Sequence, residues 1–139
     1  MNLIRLSVLC LLFSISSEAL SASAQEQLKG KWGWEGDDKN YNCAGNPHTI
    51  SFYDNASKFS MLFSKAIVKP DGKRSRVARY RVISKSGNVI TARMQGETRK
   101  GKDGKLIVWD LIVESPNKYV WHRGDWDDGM ITPAVERCQ

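Results

Sequence analysis

His122 stands just ahead of Asp125, Asp127 and Asp128 in the stretch HRGDWDDG, and an imidazole beside carboxylates is raw material for metal binding or acid–base chemistry. The spacing carries neither. A Ca²⁺ loop places its third ligand and its glycine one residue later and closes on a glutamate that is absent here, so the stretch reads as an acidic surface loop. The cysteines and histidines fall at neither C-x-x-C nor H-x-x-x-H spacing, and no metal site is expected. His48 alternates with Ile50 and Phe52, which suits a core or strand-end residue better than a catalyst. No serine or cysteine carries a nucleophile elbow or a Cys–His signature. Paired carboxylates for sugar hydrolysis stay open, because a sheet can bring distant residues together. The expectation is a non-enzymatic protein without a cofactor.

The tryptophans invite a different chemistry. Small-molecule pockets are mostly apolar with a few placed polar groups, and Trp109 and Trp121 suit either such a pocket or a packed core. Trp126, in an acidic, glycine-bounded loop, is the residue expected to touch a partner.

These residues are set in a chain with a leader-like start. Residues 1–24 give a basic residue, an apolar run from Leu6 to Ile15 and a small-residue end at Ala22-Ser23-Ala24, the order of a secretory signal peptide cleaved after Ala24. Cys10 lacks the small neighbours that lipoprotein processing requires. The apolar run is shorter than the roughly 20 residues that span a bilayer, and no membrane-spanning segment is expected. Residues 25–139 then form one domain, periplasmic or secreted. In an oxidising compartment the remaining pair, Cys43 and Cys138, is expected to form a disulfide.

The net charge of +6 is concentrated between Lys65 and Lys105, where thirteen Lys or Arg face only Asp71, Glu97 and Asp103. Such a segment suits a polyanion or a set of solvated strand faces. No nucleic-acid module is recognisable, and nucleic acid is not expected as a partner.

The elements that must position these groups read as strands. Alternation with period two runs through His48–Tyr53, residues 58–68, Arg76–Ser84, residues 89–98, residues 106–114 and the stretch after Lys118, separated by turn sequences such as KPDGKR and SKSGN. Ala78, Tyr80 and Val82 alternate with Arg79 and Arg81, which places the arginines on the solvent side. Ala92, Met94 and Gly96 share a face on which small side chains leave room for large neighbours or for a cavity. Short strands at about ten-residue spacing predict an all-β antiparallel up-and-down meander of seven or eight strands, closed into a barrel that leaves no free edge.

Gly30-Lys31-Trp32 at the first strand, followed by this meander, resembles the lipocalin and fatty-acid-binding (calycin) barrels. The resemblance implies that Gly30 and Trp32 close one end of the barrel and that an arginine near the last strand covers the indole. Arg123 is the best positional match, with Arg137 as the alternative. Tyr41-Asn42-Cys43 and Cys138 are also similar to the pattern of periplasmic barrels that inhibit lysozymes or proteases. Two functions follow as expectations. The first is binding of a small apolar or amphipathic ligand inside the barrel, by Tyr80, Ala92, Met94, Gly96 and Trp109. The second is inhibition or scavenging of a periplasmic hydrolase through the loops.

Overall fold

The structure, a computed structural model, describes residues 22–139. The expected leader lies, up to residue 21, outside the described residues.

Eight antiparallel strands follow one another around a closed barrel: β1 (Gly30–Trp34), β2 (His48–Tyr53), β3 (Lys58–Val68), β4 (Arg74–Ser86), β5 (Val89–Met94), β6 (Trp109–Ser115), β7 (Lys118–Arg123) and β8 (Val135–Arg137). A short helix, α1 (Ala24–Leu28), precedes them. Among the described residues no helix is long and apolar enough to cross a membrane. The predicted alternation appears directly in the burial: Ile50, Phe59, Met61, Ala78, Tyr80, Ile90, Ala92, Leu111 and Val113 point inward from their strands. Their polar neighbours face out, as a half-buried sheet requires.

Three elements differ from the sequence reading. Strand β5 stops at Met94, and Gln95-Gly96 turns away with Gly96 at φ +81°, so Gly96 is an exposed turn residue rather than part of the inner face. The stretch 106–108 lies outside the strand: β6 starts at Trp109, and Leu106 forms an isolated bridge with Lys100. Strand β8 is three residues long and too short to show a period, yet it pairs with both β1 and β7 and completes the ring.

The end of the barrel at which β1 starts is closed around Trp32. Its indole is fully buried, donates to the Leu28 carbonyl at 2.8 Å and meets the Tyr119 ring edge-on at 4.9 Å. Arg137, not Arg123, covers it: the Arg137 guanidinium carbon lies 4.2 Å from the indole centroid. The same guanidinium donates to the carbonyls of Lys29, Gln27 and Pro116, tying the entry to β1 and the β6–β7 turn to the last strand. Arg123 sits at the opposite end, held by Asp125. Chain order explains the exchange, since β7 ends at the far rim while β8 runs back to the Trp32 end.

Gly30 is required twice over. Its φ of +114° is closed to side-chain-bearing residues, and a Cβ there would stand 2.7 Å from Arg137 Nη1. Nearby, Gly33 admits the Cys43 backbone, whose nitrogen would lie 2.3 Å from a Cβ. Cys43 is bonded to Cys138, with Cα atoms 5.5 Å apart, so the loop after β1 is clamped to the residue that follows β8.

Trp32→Ala is expected to lower the unfolding free energy by about 3–5 kcal/mol through loss of a buried aromatic, and Gly30→Ala by about 1–3 kcal/mol through backbone strain. Chemical denaturation checks both, and an unchanged midpoint for Trp32→Ala would remove the indole from the core. The disulfide closes a loop of 95 residues. Its reduction, or a Cys43→Ser, Cys138→Ser double variant, is expected to lower stability by about 4 kcal/mol, read as a lower melting temperature under reductant.

Candidate functional site

The interior is filled. From β2 to β7 the rings form a continuous series: Phe52 to Phe59 at 5.3 Å, Phe59 stacked on Tyr80 at 4.7 Å, Tyr80 to Trp121 at 5.6 Å, and Trp121 edge-on to Trp109 at 5.8 Å. Ala92 is fully buried directly opposite Trp109, so its small side chain lies within the core rather than at an open surface. Of the residues expected to line an internal cavity, Tyr80 and Ala92 are core, and Trp109 is half-buried between Trp121 and Trp126.

His48 is also core. Its Nε2 lies 2.7 Å from the Tyr119 hydroxyl, its ring packs against Phe63 at 5.1 Å, and its Nδ1 has no hydrogen-bond partner among the described residues. Burial lowers its pKa to about 4.

Loops crowd the rim where β5 and β7 end. The Glu97 side chain is fully buried, and Arg99 donates to both its carboxylate oxygens at 2.8 Å. Burial pushes the Glu97 carboxyl up, but the hydrogen bonds and charge of Arg99 outweigh it and hold it below the ordinary range. Tyr80 is pushed the other way, upward, by burial and then by the Glu97 charge. The acidic loop beyond β7 assembles no metal site: Asp125 is taken by Arg123, Asp127 and Asp128 are exposed, and His122 Nδ1 faces Asp110 at 3.3 Å. Among the described residues no group of three potential ligands gathers to hold a metal. Trp126 is half-buried, its ring 5.7 Å from Trp109 and 6.4 Å from His122.

An open concavity lies at the barrel wall. A groove of about 610 Å³ is bordered by Tyr80, Met94 and Gly96, three of the five residues expected to bind a ligand. Its other walls were not foreseen as a site. Tyr53, Ile83 and Leu106 supply exposed apolar surface, and Lys58, Arg79, Arg81 and Arg93 supply positive charge. The sequence signal was present in the alternation of Arg79 and Arg81. The cross-strand register that sets Arg93 beside Arg81 was not readable, because a bulge near Val82 shifts the β4–β5 pairing.

No protein-family model, curated protein or solved structure matches this chain.

The buried imidazole gives the core a pH dependence. In the unfolded chain His48 takes up its proton near pH 6.5, in the folded protein only near pH 4, so between these values the unfolded state binds more protons. Stability from this group is therefore complete above pH 6.5 and falls as the pH drops to 4, by about 3 kcal/mol in all. Glu97, with its lowered pKa, adds a loss only below the ordinary carboxylate value of 4.5. Denaturant midpoints between pH 7 and 4.5 should show the slope, and His48→Gln should flatten it.

Proposed function

We propose that this chain is an exported, non-enzymatic β-barrel of the lipocalin-like kind that binds a small amphipathic ligand, and that the ligand sits in the wall groove rather than inside the barrel. The observation that carries the reading is the contrast between a core packed with aromatic rings and an open groove of about 610 Å³ with apolar and charged walls. That volume falls within the usual span of small-molecule sites, roughly 300–1,000 Å³. Export is supported by the leader-like start and by the Cys43–Cys138 disulfide. The barrel keeps its apolar residues inside and its charged ones outside, the reverse of the lipid-facing band of membrane barrels.

The Gly30–Trp32–Arg137 closure supports a calycin-like relationship, because it joins the first strand and the last through a covered indole. Inhibition of a hydrolase through the loops draws less support, since Trp126 already packs against Trp109 and His122.

Native mass spectrometry of the protein from its own host's exported fraction tests the reading. A small-molecule adduct is expected on the wild type and should be lost from an Ile83→Asp, Leu106→Asp variant of unchanged melting temperature. An adduct that survives those substitutions would put the ligand elsewhere, and a stoichiometric protein in its place would make the chain a protein-binding module.

A further inference from the structure

A row of like charges crosses the groove. Strand register sets Arg81 directly opposite Lys58 on β3 and directly opposite Arg93 on β5. Arg79, two residues back along β4, points from the same face. All four line one concavity. Like charges placed opposite one another on a sheet are destabilising, so folding alone does not favour this arrangement.

The nearby carboxylates do not relieve it. Asp54 meets the Lys58 ammonium at 2.8 Å, Glu97 is engaged by Arg99, and Asp71 in the adjoining cleft lies 4.0 Å from Lys69. Among the described residues Arg79, Arg81 and Arg93 take part in no ion pair. A solvated outer face accounts for scattered arginines. It does not account for three unpaired ones lining a single groove beside exposed Ile83, Leu106 and Tyr53. A guanidinium is weakly hydrated, and its planar fork of donors matches the oxygens of a phosphate group.

We propose that the ligand of this groove is an anionic amphiphile, with a phosphate-type head held by Arg79, Arg81 and Arg93 and an apolar chain lying against Ile83, Leu106 and Tyr53. The inference rests on the groove reading above and adds to it the charge and head chemistry of the ligand. A free single-chain amphiphile and a lipid head presented by a bilayer offer the same chemistry.

Titration calorimetry on the disulfide-bonded protein tests it with four probes: monomeric dodecyl phosphate, dodecyl maltoside, inorganic phosphate and phosphatidylglycerol vesicles. Dodecyl phosphate is expected to bind one to one, at least about tenfold more tightly than the neutral maltoside or inorganic phosphate, and more weakly as salt rises. An Arg81→Gln, Arg93→Gln variant should lose about tenfold or more in affinity for dodecyl phosphate while its melting temperature stays level or rises, because the opposed charges are gone. Vesicle binding that the same variant loses would assign the head to a bilayer lipid, and binding confined to the monomer would assign it to a free amphiphile. If the maltoside binds as tightly as the phosphate and the arginine variant keeps wild-type affinity, the anionic head is wrong, and the groove reading stands when the Ile83→Asp, Leu106→Asp variant loses both amphiphiles and falls when it keeps them. If neither amphiphile binds, both are overturned.

Discussion

Everything in this barrel depends on closing the ring at β8, a strand of only three residues. Without β8 the remaining seven-stranded sheet would expose the edges of β1 and β7, and a strand this short makes few ladder hydrogen bonds of its own. Side chains supply the remainder. Arg137 covers Trp32 and donates to three carbonyls from two other parts of the chain, and the next residue, Cys138, is covalently tied to the loop after β1. Gly30, Trp32, Gly33 and Cys43 all serve this one requirement. The indole fills the barrel end, Gly30 lets the guanidinium approach, and Gly33 lets the disulfide loop lie against the strand.

A ring so closed has a narrow interior, and eight strands give a space that side chains can fill. Here they do. Aromatic rings reach from Phe52 to Trp109, His48 and Tyr119 share a buried hydrogen bond, and the Glu97–Arg99 pair is packed into the far rim. With the interior packed, the groove described above lies on the outside of the wall. Strand β4 is long and β5 ends early, so the turn at Gln95-Gly96 and the return at Leu106 border an open groove over the outward residues of β3, β4 and β5.

The architecture was legible because it depends on local patterns. Alternation from His48 to Phe52, the Pro-Asp-Gly turn after Val68 and the isolated cysteine pair each report a local or covalent constraint, and the all-β barrel and its disulfide follow from them. The pattern misled where a residue's surroundings are non-local. Gly96 continues the alternation of Ala92 and Met94 in the sequence, yet the strand has already ended, because the chain turns there with a backbone angle suited to glycine. Arg123 is the better positional match in the sequence, yet Arg137 covers Trp32, because the direction of the last strand brings it and not Arg123 to that end.

The sequence by itself thus determined the all-β antiparallel meander of seven or eight strands, most of its inward and outward faces and the covalent clamp, since period-two patterning and a lone cysteine pair are read without knowing which strands are neighbours. Tertiary structure alone decided that Ala92 on β5 is buried opposite Trp109 rather than left open to a ligand. It also decided that Lys58, Arg81 and Arg93 stand side by side. Those outcomes depend on cross-strand register, and register is set by bulges and turn geometry that act between segments far apart in the chain.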